Sequence, residues 1–274
     1  MTKLSFFITK GMGGGLADIL DGVIRDAVTG KDVAVAFSGG LDSGLIAAIA
    51  GKYAESVRLY TVGTAGSYDV LASEKMASDL KMDWIHVPLN EEVIEEKLSE
   101  MIRITGTLDP IVLSFEFPLV CIAPLVECDL ILGGQGADEV FCGYSKYLGL
   151  STDNLLKQRE EDMVKLNSLT LPHEKKVVSH YGKNIFYPFL HNNVTEFVSC
   201  LNPEVLIPHG DDRKMILRDA ALELGYPDIA SKKKKAAQYG TGSMNLMKKI
   251  AKNRGLSVSE YIIGLADGRP WTTY

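Results

Sequence analysis

The stretch Val33-Ala34-Val35-Ala36-Phe37-Ser38-Gly39-Gly40-Leu41-Asp42-Ser43 decides how this chain folds. Its first five residues are apolar without alternation. Such a run fits a strand covered on both faces, as strands of parallel sheets are. Ser38-Gly39-Gly40 breaks it, and residues 45–50 follow as a nearly unbroken apolar helix that must be buried against the sheet. The turn between them suits an anion. Glycines let the backbone come close and reach positive φ. The first N–H groups of the next helix have no intrahelical acceptor and, with the helix dipole behind them, attract negative charge. Ser38 and Ser43 add hydroxyl donors. Asp42 belongs beside a phosphate only if magnesium lies between the two. The plainer reading is a tight turn with Asp42 or Ser43 capping the helix.

Outward from this turn the pattern repeats. Residues 57–62, 84–87 and 129–132 read as further strands, and 72–80, 91–104 and 115–126 as helices. Upstream, Leu16, Ile19, Leu20, Val23, Ile24 and Ala27 have amphipathic helical spacing. Alternating strands and helices imply right-handed crossovers and a doubly wound parallel sheet. Strand signals are expected to stop near residue 150, where helical patterns take over at 155–166, 194–201, 215–224 and 244–251. Gly11-Met12-Gly13-Gly14-Gly15-Leu16 begins like a dinucleotide fingerprint, but Leu16 occupies its last position, so it reads as a flexible loop before the first helix. No GxxxxGK(S/T) is present, which excludes a Walker A loop.

A second glycine loop follows the strand at 129–132: Gly133-Gly134-Gln135-Gly136-Ala137-Asp138-Glu139-Val140-Phe141-Cys142-Gly143-Tyr144. Ligands of open α/β sheets collect at the carboxyl ends of strands. Asp138 is the candidate metal carboxylate to face Asp42, since magnesium takes one or two carboxylates plus phosphates. The alternative makes Asp138 and Glu139 simple dipole partners of a helix N-terminus.

Composition narrows the class. With 46% hydrophobic and 23% charged residues in 274, the chain is an ordinary globular protein of one or two domains. Its net charge of −6 is no nucleic-acid footprint. No apolar stretch reaches membrane-spanning length, and the run near residue 6 is too short for a signal peptide. Cys121, Cys128, Cys142 and Cys200 have scattered spacings and read as reduced thiols of a cytoplasmic protein. His86, His173, His180, His191 and His209 show no metal-binding spacing.

At this point a resemblance enters. Residues 38–43 look like the pyrophosphatase loop (PP-loop) of ATP pyrophosphatases, and residues 134–144 resemble the GEG(A/S)DE(L/V)FGGY segment of asparagine synthetases. Leu59-Tyr60-Thr61-Val62-Gly63 resembles that family's adenine-side strand, and Pro188-Phe189-Leu190 its PFLD motif. Met215-Ile216-Leu217-Arg218, Lys232-Lys233-Lys234-Lys235 and Gly240-Thr241-Gly242 resemble its C-terminal phosphate-binding region. The resemblance implies an α/β, adenine nucleotide alpha hydrolase-like fold with a helical C-terminal part. It divides the chain into an extension (1–15), a PP-loop ATP-binding core (16–150) and a helical remainder of the same synthetase domain (151–274).

The implied chemistry uses ATP and Mg2+ to adenylate a carboxylate, releasing pyrophosphate, after which ammonia or another amine displaces AMP. Carried over by position, Ser38, Gly39, Gly40 and Ser43 cradle pyrophosphate, Asp42 and Asp138 hold magnesium, and Val62 and Gly134 line the adenine pocket. Lys214 and Lys234 contact phosphates and stabilise the transition state. The family register selects Lys234 from the four-lysine run, which by composition alone is a solvated face, and Lys232 is expected to matter less.

Departures from the family pattern shape the expectation. Gln135 stands where the GEG glutamate would be, and an amide is no base near neutral pH. The base then lies elsewhere, with Glu139, Glu116 and Tyr144 as candidates, or the acceptor differs. His191 replaces the PFLD aspartate on the acceptor side. Thr2 follows the initiator where glutamine-dependent relatives carry a cysteine, so ammonia is expected from solution or from a separate glutaminase or other subunit. A homo-oligomer stays open. Two other functions compete: an RNA-modifying PP-loop enzyme, kept open by the lysine-rich segments 232–235 and 248–254, and a nucleotide-binding subunit that has lost its base.

Overall fold

The decisive apolar run is strand β1 (Asp32–Ala36), and it lies at the centre of a five-stranded parallel sheet in the order β3-β2-β1-β4-β5. Its partners are β2 (Ser56–Gly63), β3 (Asp83–Pro88), β4 (Leu130–Leu132) and β5 (Asn184–Phe186). This is a computed structural model; it describes the backbone of residues 3–210, 212–232 and 241–268, with side chains from residue 15 onward. The chain builds outward from β1 through β2 to β3, then returns to the other side of β1 with β4 and β5. The loops after β1 and β4 therefore flank the point where the strand order reverses, the crevice in which doubly wound sheets bind ligands.

Alternate residues of the central strands feed two cores, as the two-residue strand period requires. Val33, Val35, Leu59 and Leu132 face a layer built from α1 (Lys3–Val28), α2 (Leu41–Ala50), α9 (Asn192–Ser199) and α10 (Met215–Glu223). Ala34, Tyr60, Val62 and Ile131 face α4 (Glu91–Thr105), α5 (Pro110–Ile122), α8 (Leu171–His180), α12 (Ser243–Asn253) and α13 (Val258–Ala266). Of the remaining helices, α3 (Tyr68–Leu80) follows β2. The short α6 (Ala137–Val140) follows the second glycine loop, and α7 (Thr152–Lys165) and α11 (Pro227–Ala230) lie in the later half. Among the described residues no single helix is long and apolar enough to cross a membrane.

Two expectations are corrected. Residues 11–15 are not a loop, because α1 runs through them from Lys3. At Gly15 the missing side chain has a packing use: a Cβ there would lie 3.0 Å from the Phe197 ring of α9. Strand signals also do not stop at 150. Residues 184–186 pair with 130–132 and form one edge of the sheet. This strand has three residues and ends in Tyr187-Pro188, too little for alternation to register.

Pro118 sits inside α5 and can donate no hydrogen bond back to Ser114. The freed Ser114 carbonyl accepts from the Ser243 hydroxyl at 3.4 Å, which ties α5 to α12.

Candidate active site

The PP-loop is shaped by its own hydroxyls and by α3. Ser43 Oγ accepts from Ser38 N at 3.1 Å and lies 3.2 Å from Ser38 Oγ, closing the turn on itself. Gly39 has φ +66, and a Cβ there would meet backbone atoms of Ser73 and Ala72 at 2.5–2.7 Å. Gly40 caps α2 in an extended conformation without a side chain to occupy the first N–H groups. Those donors are therefore left to a ligand.

The second loop meets the first at Asp42. Gly134 lies against it, its ideal Cβ position 3.5 Å from Asp42 Cβ. Asp138, in the first turn of α6, points toward the same place. Lys214 joins the two acids: its Nζ is 2.6 Å from Asp42 Oδ2 and 2.6 Å from Asp138 Oδ1. The lysine side chain is 3% exposed and caps α10 in the left-handed region, at φ +58. Burial works against its charge, but Asp138 and Asp42 outweigh that and hold the ammonium above the ordinary lysine range. Gly143 passes so close that a Cβ would overlap Asp138 Oδ1 and Lys214 Cε.

One cavity of about 340 Å³ lies between these loops. Ser38, Gly39, Gly40, Asp42, Ser43, Val62, Gly134, Gln135, Asp138 and Lys214, expected at the site from the sequence, are all on its walls. Lys234 lies outside the described residues. Arg218 and Lys232, from the segments that resemble the family's phosphate-binding region, are there too, with Arg213, which the sequence reading did not single out. Arg213 donates to Gly143 O at 3.2 Å, and its Nε is buried without a partner among the described residues. Arg218 donates to the carbonyls of Arg213, Ala230 and Lys232, and so fixes the segment that brings Lys232 to the wall.

The acids fit magnesium in one respect. Asp42 Oδ1 is buried and accepts no hydrogen bond among the described residues, a hard oxygen donor without a partner. No group of three metal-binding side chains occurs among those residues, so phosphate oxygens and water would have to complete the shell.

The asparagine synthase family profile matches residues 16–180, more than half of the chain and both glycine loops with it. This chain belongs to the asparagine synthase family. A Methanocaldococcus jannaschii protein named as an asparagine synthetase (glutamine-hydrolyzing) is 29% identical over 88% of this chain and 52% of its own length. The asparagine synthetase domain-containing protein 1 of Bos taurus is 35% identical over 41% of this chain and 19% of its own. This chain thus spans about half of the first relative and a fifth of the second. Among solved structures, an NMN synthetase from Francisella tularensis is similar over 97% of this chain and 88% of its own, at 12% identity and a TM-score of 0.46.

Within this asparagine synthase-family site, Gln135 does not stand alone. Its Nε2 donates to Glu174 Oε1 at 2.6 Å, and Tyr187 Oη donates to Glu174 Oε2, also at 2.6 Å. Burial pushes the Glu174 carboxyl up to about 7 against the pull of these two donors. Glu116 lines the same cavity, and burial, with Glu174 nearby, pushes it up to about 9. His173 Nδ1 lies 3.1 Å from Glu116 Oε2, and burial holds that imidazole below its ordinary range.

The other base candidates fare differently. Glu139 is not on the cavity wall; it accepts from Tyr144 Oη at 2.7 Å. Tyr144 is on the wall, but burial raises its phenol, which stays protonated. His191 is not on the wall either: its Nδ1 accepts from Asn193 N and begins α9. Glu174 was missed by the sequence reading. Its signal was an acid at position 174 sharing a helical stripe with Leu171 and Val178, all three buried on α8.

Proposed function

We propose that this chain is an ATP-dependent, AMP-forming carbon–nitrogen ligase of the cytoplasm. It adenylates a carboxylate and passes the acyl group to ammonia or another amine. The observation that carries this reading is the convergence of both glycine loops, Asp42, Asp138 and Lys214 on one cavity at the reversal point of the sheet.

In the first step a carboxylate oxygen attacks the α-phosphorus of ATP, the bond to the bridging oxygen breaks, and pyrophosphate leaves. Ser38, Gly39, Gly40 and Ser43 receive that pyrophosphate through backbone N–H groups and hydroxyls. Val62 and Gly134 line the adenine side. Asp42 and Asp138 would hold Mg2+, which when bound neutralises charge on the departing phosphates. In the second step the amine nitrogen attacks the acyl carbon, the C–O bond to AMP breaks, and the amine gives its surplus proton to a base. Negative charge grows at both steps, and fixed cations aimed at it are the usual large catalytic contribution. Lys214 fills that role, and Lys234, which lies outside the described residues, is assigned the same role by the family register. The nitrogen comes from free ammonia, from another amine or from a separate glutaminase or other subunit.

The test is incubation with ATP, Mg2+, ammonium and a panel of carboxylic acids. AMP and pyrophosphate should appear together and only with the right acid. Formation of ADP and phosphate instead, or no nucleotide cleavage with any acid, overturns the reading.

A further inference from the structure

Lys214 stands between the two acids that would hold a metal ion. Its Nζ is 2.6 Å from Asp42 Oδ2 and 2.6 Å from Asp138 Oδ1, so a single ammonium bridges both carboxylates. Its backbone is left-handed, at φ +58, which is uncommon for a residue other than glycine. Such strain persists only where the surroundings enforce it, and it clusters at ligand clamps and switches. Gly143 closes one side of the chain at Cε, where a Cβ would overlap it, and the cavity that Lys214 lines opens on another. The head of this side chain therefore has space on the side from which phosphate would come.

Magnesium and the ammonium compete for the same oxygens. Mg2+ demands close, near-octahedral oxygen ligands and sheds its water reluctantly. With the ammonium in place, the Asp42 carboxylate keeps one buried oxygen, Oδ1, that accepts no hydrogen bond among the described residues. One such oxygen is a poor hold for that ion, and the positive charge beside it repels a second cation. A polyphosphate reverses the balance. Its oxygens accept from the ammonium and at the same time supply ligands to the metal.

We propose that Lys214 is a placeholder for the metal: in the nucleotide-free protein its ammonium occupies the Asp42–Asp138 pair and keeps free divalent cations out, and an arriving polyphosphate draws it away, so that metal and phosphate enter together. The mutual repulsion of the two aspartates is thereby neutralised before any metal is bound, and the two glycine loops stay assembled. The inference rests on the ligase reading for the identity of the nucleotide, but occupancy of the aspartate pair is measurable without acid, amine or turnover.

The experiment is Mn2+ binding to the full chain, read by water-proton relaxation, without phosphate and with pyrophosphate. Mn2+ is the probe because it takes the same oxygen ligands as magnesium. Asp138→Asn sets the background from Mn2+ held elsewhere on this acidic chain. The wild type should show no binding above that background until pyrophosphate is added, and clear binding afterwards. Lys214→Met should bind Mn2+ without pyrophosphate about tenfold more tightly than the wild type, the gain from removing one like charge beside a divalent ion. Adding Asp138→Asn to that variant should abolish the gain. Lys214→Gln, which keeps a donor toward the acids, should gain likewise and replaces the methionine variant if that one does not fold; if neither folds, the two wild-type measurements decide. Phosphate-free Mn2+ binding by the wild type above the background, no uptake with pyrophosphate, or unchanged affinity in a folded Lys214 variant overturns the proposal. Acid-dependent AMP formation, assayed separately, reports on the ligase reading, and its failure leaves the metal measurement standing.

Discussion

Lys214 and Asp42 lie 172 positions apart in the chain, and their charged atoms meet at 2.6 Å beneath the PP-loop. The lysine is buried and balances Asp138 as well. Removing one member of a buried ion group leaves the others uncompensated, at a cost of roughly 3 kcal/mol or more. Asp42→Ala should therefore lower the melting temperature and abolish pyrophosphate release. Lys214→Met should destabilise similarly and, if pyrophosphate is still released, slow it by about two orders of magnitude, the loss seen when one fixed transition-state donor is removed. Thermal melts and an initial-rate assay separate the two effects.

Two glycines a few ångströms from this ion group should respond in opposite ways. At Gly143 an added Cβ overlaps Asp138 Oδ1 and Lys214 Cε, so Gly143→Ala should reduce stability and activity together. At Gly40 the nearest heavy atom to an added Cβ is Ser38 Oγ at 3.5 Å, and the backbone is extended, so alanine fits. Gly40→Ala should melt like the wild type and bind ATP about tenfold more weakly or worse, because the added methyl keeps phosphate from the N–H groups. Calorimetric titration with an ATP analogue distinguishes them.

The glutamate pair gives stability a pH dependence of definite sign. Both carboxyls titrate higher in the folded protein than their ordinary 4.5, near 7 for Glu174 and near 9 for Glu116. The folded state then holds more protons than the unfolded state between those values, so stability falls as pH rises. Their contribution is complete below pH 4.5 and is lost progressively through about 7 and then about 9. Melting temperatures across that range should decline, and Glu116→Gln should flatten the upper part of the decline.

Gln135→Glu should not restore a working family-type site. It would set two carboxyl oxygens at the present 2.6 Å separation of Gln135 Nε2 and Glu174 Oε1. Like charges that close cannot both ionise, so the pair must share a proton. The variant should be less stable than the wild type, increasingly so at alkaline pH, and its amine-dependent AMP formation should fall. Melts at two pH values and an AMP assay check both statements.

In the lysine run, Lys232→Ala should raise the KM for ATP severalfold, since Lys232 is on the cavity wall. Lys234→Ala should cost more, in kcat. Steady-state kinetics of the two variants give the order.

What the residues disclosed and what they hid follows from length and locality. The PP-loop was legible because strand, turn and helix are contiguous and each has its own pattern. Asp138 was legible for the same reason, at the end of the next central strand. Lys214 was different: it sits in no periodic pattern and was found only through the register of a resembling family. Residues 184–186 escaped because an edge strand of three residues carries no period, and residues 11–15 because a glycine cluster looks like loop until the ring of Phe197 is seen against Gly15. Glu174 escaped because its partners, Gln135 and Tyr187, come from other elements.

The lateness of β5 has a consequence for how the protein comes into being. As the chain leaves the ribosome, the PP-loop emerges early, but β5, Tyr187 and Lys214 follow more than a hundred residues later. Contacts of such long sequence separation form slowly, because the intervening loop must be closed before they repay its entropy. A nascent or partly folded chain thus carries a phosphate loop with no lysine to balance its aspartates. On the proposed function, nucleotide chemistry waits until Lys214 has joined the two aspartates.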